Sequence, residues 1–210
     1  MNLFQTVNIS SPGATEQAIE KLSSGGVIAF PTDTVYGIGC LVNNHKAISR
    51  LYAIKKRSEE KAIPVLIGKL SQLEDVAEII NQKSRLLSEV FWPGALTIIF
   101  IKSGLLPESI SRYKTIGIRM PDHKWLRNLM SRVGPLAVTS ANLSGEESAK
   151  TAEDVSNQLG GKIDLIIDGG SCTGGIPSTV VDCTKDKIRF LRDGAIPYAQ
   201  IIDIVGDRET

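Results

Sequence analysis

Chemically versatile side chains are few in this 210-residue sequence: it holds two histidines and three cysteines, and only 5% of its residues are aromatic. Cys40, Cys172 and Cys183 lie far apart and form no CxxC pair, so neither a disulfide framework nor a thiolate zinc site is indicated. They read as small buried hydrophobes. The scarcity of aromatics gives little support for stacking on nucleic-acid bases. With His45 and His123 as the whole supply of imidazole, no spaced His, Cys and carboxylate cluster marks a metal site. A nucleophile such as Ser140 or Cys40 would lack a base, and the GxSxG elbow is missing too. Both histidines fit surface or helix-capping positions better.

No uninterrupted apolar run approaches a membrane span, and the start, MNLFQTVNISSPGA, lacks the basic flank and apolar core of a signal peptide. The expectation is a cytoplasmic protein with no membrane partner. Charge of one sign is not in excess either. Lys and Arg number 24 against 23 Asp and Glu, a formal net charge of +1, which argues against a surface that coats nucleic acid. The usual nucleotide signatures are absent as well: there is no GxxxxGKS or GxxxxGKT, and GGSCTGG does not keep the GxGxxG spacing.

What is present is ordinary globular composition, with 42% hydrophobic and 22% charged residues. Helical spacing of apolar residues marks GATEQAIEKLSSGG, HKAISRLYAIKKR, NQKSRLLSEVF, HKWLRNLMSRV, TAEDVSNQLGG and the final IPYAQIIDIVG. Between them, VIAFPT, IPVLIG, GALTIIFI, TIGIRM, GPLAVTS, IDLIIDGG, STVVDCT and KIRFLRDG read as strands. No Pro/Gly/Ser linker divides the chain. The expectation is α/β class: one domain over residues 1–210, with a core of residues 15–195 and a twisted mixed sheet of about seven or more strands flanked by helices. Strand order is not readable.

Polar residues collect where strands end, which is where α/β proteins commonly place ligand sites. FPTDTVYGIG interrupts an apolar run with Thr32, Asp33, Thr34 and Tyr36. IKKRSEEKAIP carries Lys55, Arg57 and Lys61, and an extended chain there would point Lys55 and Arg57 to the same side. VTSANLSG supplies Thr139, Ser140, Asn142 and Ser144; DGGSCTGGIPSTVVD has glycines ahead of Ser178 and Thr179; FLRDG ends with Arg192. Taken singly, Ser and Asn after a strand are turn formers or helix caps. Taken together, Lys, Arg, hydroxyls and glycines suit an anion with several phosphate oxygens.

FPTDTVYGIG, AIKKRSEEK, WPGALTII, IGIRMPDH, TSANLSG and PSTVVD, in that order from about Gly25 to Arg192, resemble the YrdC/TsaC/Sua family of threonylcarbamoyl-AMP synthases. The joint pattern is specific, whereas single pieces are not. The resemblance implies a YrdC-like fold with a concave cleft. It also implies a reaction in which L-threonine, bicarbonate and ATP give threonylcarbamoyl-adenylate and pyrophosphate. That product feeds a downstream tRNA threonylcarbamoyl transferase machinery that modifies tRNA next to the anticodon. ATP would enter as a substrate with Mg2+ held by its phosphates, with no metal bound by protein side chains and no tightly bound cofactor.

Carried over position by position, the resemblance implies catalytic roles for Lys55, Arg57 and Lys61. Threonine would meet Thr34, Arg119, Ser140 and Ser178. The nucleotide would meet Lys55, Arg57, Thr115, Ser140, Asn142 and Arg192. Trp92 and Pro93 read as packing. The sequence departs from the family pattern at Lys56 and Ala62, and at Leu66, where many longer relatives have a histidine. It resembles the short form without an additional C-terminal domain. Two rivals stand beside this reading: a module that binds tRNA or double-stranded RNA, and a divergent paralogue without synthase activity. Intact TSANLSG and KKRSEEK argue against the second.

Overall fold

Period-two alternation sorts the strand side chains to two faces of one sheet, and each face is closed by its own helices. The computed structural model describes residues 5–172 and 174–206. Its strands are β1 (Gln5–Asn8), β2 (Ile28–Phe30), β3 (Gly37–Leu41), β4 (Val65–Leu66), β5 (Ala77–Ile79), β6 (Leu96–Lys102), β7 (Thr115–Arg119), β8 (Leu136–Ser140), β9 (Leu165–Asp168), β10 (Thr179–Asp182) and β11 (Arg189–Arg192). Its helices are α1 (Ala14–Ser23), α2 (His45–Lys55), α3 (Leu73–Val76), α4 (Gln82–Phe91), α5 (Lys124–Val133), α6 (Ala152–Leu159) and α7 (Tyr198–Val205). None of them is long and apolar enough to cross a membrane.

The strands form a single 11-stranded sheet in the order β1-β9-β2-β3-β8-β4-β7-β6-β10-β11, with β5 paired to β6. Pairing is mixed: β2 runs antiparallel to β3 and parallel to β9, while β4 runs antiparallel to β8 and parallel to β7. The expected mixed sheet is therefore present. It gains β1, β3 and β5 over the strands marked by the sequence. Its narrowest member, β4, pairs through Val65 and Leu66 alone.

Alternation is visible along β8 and β9. Leu136, Val138, Leu165 and Ile167 join Leu22 of α1 and Leu126, Leu129 and Met130 of α5 in one apolar cluster. Ala137 and Ile166 face the other way, into a larger cluster with Ile48 and Leu51 of α2, Leu87 of α4, Val155 of α6 and Ile201 of α7. At about 25 cal/mol per Å² of apolar surface removed from water, these two layers supply the main stabilisation. β3 packs so closely on β8 that a Cβ on Gly39 would sit 2.7 Å from the Ala137 carbonyl oxygen. Only glycine fits there.

Local chemistry sets the helix ends. Asn44 caps α2 by accepting from Ala47 N at 3.0 Å, and Thr151 and Asp154 form a reciprocal capping box on α6. His123 caps α5, its Nδ1 accepting from Leu126 N at 3.3 Å, as a capping role predicts. His45 lies exposed in the first turn of α2. At the other end of α2, Lys56 adopts the left-handed conformation, φ 50°, and closes the helix.

Candidate active site

After β2 the chain leaves the sheet at Pro31 and folds a tight turn on the Thr32 hydroxyl. Thr32 Oγ1 donates to Val35 O at 2.7 Å and accepts from Thr34 N and Val35 N at 3.1 and 3.3 Å. Thr34 Oγ1 lies 3.0 Å from Thr32 Oγ1. Onto this turn comes Arg119 from the end of β7. Its Nη1 donates to Thr34 Oγ1 at 3.1 Å, its Nη2 to Asp33 Oδ1 at 2.5 Å, and its Nε to Gly94 O at 2.9 Å. Burial lowers the Arg119 pKa, and the Asp33 carboxylate opposes that shift. Tyr36, also fully buried, is turned to β9, where its hydroxyl donates to Gly170 O at 2.8 Å and accepts from Gly169 N at 3.1 Å. Burial pushes that phenol up to about 12.

Across the cleft, Arg192 at the end of β11 folds back over the start of β10. Its Nε and Nη2 donate to Ser178 O at 3.0 and 2.8 Å, and Nη2 also reaches Ser178 Oγ at 3.0 Å. Ser178 Oγ in turn lies 2.7 Å from Thr97 Oγ1 of β6. A third guanidinium enters from the loop after α2: Arg57 donates from Nε to Lys61 O and from Nη2 to Ala62 O, both at 3.0 Å. Burial lowers the pKa of Arg57 and Arg192 alike, and Arg192 is lowered further by the charges of Arg119 and Arg57. Arg192 thus feels both other guanidiniums across a partly desolvated cavity, and although Asp33 counters Arg119, the gathered positive charge favours an anion.

The cavity between these groups has a volume of about 290 Å³. Its floor is the sheet itself, with Leu66, Thr97, Gly117, Val138 and Val180 among the lining residues. Of the residues singled out from sequence, Thr34, Arg57, Arg119, Ser140, Ser178 and Arg192 line it together. Lys55, Lys61, Thr115 and Asn142 are not among its lining residues. The expected extended passage from Lys55 to Arg57 is corrected by the left-handed turn at Lys56. Lys55 stays helical and is 2% exposed; its ammonium donates to Ser140 O, to Asn142 O at 2.6 Å and to Asn142 Oδ1 at 3.4 Å. Burial, then the neighbouring Arg57, brings its pKa down to about 7.

Asn142 is likewise committed to its own loop, donating from Nδ2 to Leu143 O and Glu146 O at 2.8 Å. The Lys61 side chain is exposed, and its carbonyl is what Arg57 holds. Thr115 begins β7, at the opposite end from Arg119. Sequence reasoning passed over Thr97, a single hydroxyl in an apolar strand, and singled out Thr32 and Asp33 as polar residues at a strand end without giving them a role in the site. The only signal for Thr97 was its break in the run ALTIIF. Among the described residues no group of three His, Cys, Asp or Glu could hold a metal ion, and the cleft's donors are cations and hydroxyls.

The Sua5/YciO/YrdC family model, which carries the description "Telomere recombination", matches residues 20–194. The threonylcarbamoyl-AMP synthase of Bacillus subtilis is 40% identical over 193 residues, covering 90% of this chain and 56% of that relative. The chain thus spans about half the length of that curated relative. The structure of Pyrococcus abyssi Sua5 complexed with L-threonine superposes with a TM-score of 0.92 at 33% identity, covering 97% of this chain and 61% of that one. Escherichia coli YciO gives 0.82 at 30% identity, covering 94% of this chain and 98% of its own. Matching over most of its length in both sequence and fold, the chain belongs to the Sua5/YciO/YrdC family.

Proposed function

We propose that this protein is an L-threonylcarbamoyladenylate synthase that joins L-threonine, bicarbonate-derived CO2 and ATP. The observation that carries the reading is the convergence of Arg57, Arg119 and Arg192 on one cleft that also presents the hydroxyls of Thr34, Ser140 and Ser178. That set matches a substrate pair with two anionic parts, a carboxylate and a polyphosphate. In the reaction, the threonine amine attacks CO2 and loses a proton to give a carbamate. A carbamate oxygen then attacks the α-phosphorus of ATP, and the bond to pyrophosphate breaks with its electron pair leaving on pyrophosphate. Nothing in this sequence needs a covalent enzyme intermediate, so positioning and electrostatics carry the catalysis.

Arg119 takes the threonine carboxylate, with Thr34 and Ser178 beside it. Arg57 and Arg192 offset the repulsion between carbamate and phosphates, and Mg2+ enters with ATP as part of that substrate. Lys55 and Asn142 build the loop that holds Ser140 against the nucleotide, and Lys61 reaches the phosphates from the rim. Thr115 is assigned to the nucleotide more remotely, from the far end of β7. The product passes to a tRNA threonylcarbamoyl transferase machinery in the cytoplasm, and residues 1–210 act as one domain. The test is pyrophosphate release from purified protein. It is expected only when ATP, Mg2+, threonine and bicarbonate are all present; release no faster than in a threonine-free control overturns the proposal.

A further inference from the structure

Arg57 is aimed by its own loop. Its Nε donates to Lys61 O and its Nη2 to Ala62 O, both at 3.0 Å, and it lines the cleft. A guanidinium is a rigid planar fork, so holding two of its nitrogens fixes the direction of the third. That third nitrogen, Nη1, meets no acceptor among the described residues and is left for a ligand. The aim is only as firm as the two carbonyls, and their loop is thinly supported: Lys56, Ser58, Glu59, Glu60 and Lys61 are exposed, Arg57 and Ala62 half-buried.

The buried anchor under that loop is Tyr52, near the end of α2 and 5% exposed. Its hydroxyl lies 3.2 Å from Lys61 O and 3.2 Å from Ile110 O, in the segment ahead of β7. Carbonyl oxygens only accept, so the phenol is the donor in both contacts and its one proton is shared between them. Lys61 O takes Arg57 Nε and Ile110 O takes Ile63 N at 3.1 Å, which leaves each a second lone pair for the phenol. Tyr52 also holds the other end of the arginine, because its carbonyl accepts from Arg57 N at 3.0 Å. It is not among the cleft's lining residues.

We infer that Tyr52 is a positioning residue for the proposed reaction: its hydroxyl clamps the Lys61 carbonyl against the segment at Ile110, and that carbonyl aims the Arg57 guanidinium into the cleft. The inference rests on the proposed function, in which Arg57 offsets the repulsion between carbamate and phosphates. Without the phenol, Lys61 O on its exposed loop is free to turn to water, and the hold on Arg57 Nε loosens with it. A guanidinium displaced by about an ångström serves the transfer poorly. Tyr52 acts through Arg57 and touches no substrate.

Pyrophosphate release by wild type, Tyr52→Phe, Arg57→Ala and the double variant tests this, with threonine and ATP varied in turn. Tyr52→Phe keeps the ring and is expected to lower kcat about tenfold, with KM for threonine within about twofold. In the Arg57→Ala background the same change is expected to cost less than about twofold, because no guanidinium is left to aim. Turnover unchanged in Tyr52→Phe overturns the inference, as does an equal loss in both backgrounds, which would mark a general loosening of the fold. A second readout needs no turnover. The Arg57 Nε–H proton, followed by NMR and assigned by its loss in Arg57→Ala, is expected to exchange with water about tenfold faster in Tyr52→Phe. Unchanged exchange overturns the clamp, whereas a wild type that releases no pyrophosphate while Tyr52→Phe speeds that exchange overturns the proposed function and leaves the clamp standing.

Discussion

Arg119 and Asp33 form an ion pair in which the guanidinium side chain is 8% exposed and the carboxylate side chain 16%, with 2.5 Å between Nη2 and Oδ1. The pair joins the end of β7 to the turn after β2, two segments 86 residues apart. Replacing Asp33 with Asn keeps an acceptor oxygen and removes the charge. The guanidinium is then left buried without a counter-ion, and breaking such a pair from one side is costly. Asp33→Asn is expected to lower unfolding free energy by about 2–4 kcal/mol in urea titration. A loss below about 0.5 kcal/mol would show a screened contact of the surface kind.

Arg57 offers a sharper separation between folding and function. It closes its own loop through the carbonyls of Lys61 and Ala62, and it lines the cleft. Losing those two bonds in Arg57→Ala costs about 1 kcal/mol of stability, because the carbonyls can turn to water. Losing its charge at the site of phosphate repulsion is expected to cost about a hundredfold or more in kcat/KM for pyrophosphate release. Unchanged kinetics in the folded variant would remove Arg57 from the site.

Lys55 gives a pH signature. Its folded pKa of about 7 lies below the value of about 10 expected for the unfolded chain. Between those values the unfolded state binds more protons than the folded state, so stability attributable to Lys55 rises with pH across that window. Below pH of about 7 both states hold the proton and the contribution is flat. Urea melts of wild type and Lys55→Met from pH 6 to pH 10 are expected to show the difference moving in favour of wild type as pH rises. A constant difference would mean that the carbonyls of Ser140 and Asn142 keep the ammonium charged throughout.

Much of the fold was legible because apolar periodicity is a direct imprint of burial. The six helices marked from the sequence and the longer strands follow it closely, while the four-residue α3 was too short to show it, and β8 and β9 alternate between two clusters as the pattern requires. What escaped were strands without that imprint. β3, with the sequence GIGCL, carries two glycines; β5 is exposed at Glu78 and Ile79; β1 has one buried residue, Val7. In the site, residue types were readable but directions were not. A left-handed Lys56 cannot be foreseen where glycine is the usual choice, and it alone turns Lys55 away from the path taken by Arg57. Thr97 hid because a β-branched residue in a strand is unremarkable until its hydroxyl is found 2.7 Å from Ser178.

β4 is two residues long, yet among the described residues it is the only strand that ladders β8 to β7. Thr34, Ser140 and Gly37 at the start of β3 stand on one side of that seam, and Arg119, Thr97, Ser178 and Arg192 stand on the other. An occupant gripping both sides acts as a splint across the thinnest part of the backbone ladder. Amide exchange at Val65 and Leu66 then becomes a gauge of occupancy, slowing as the cleft fills, with no label on either substrate.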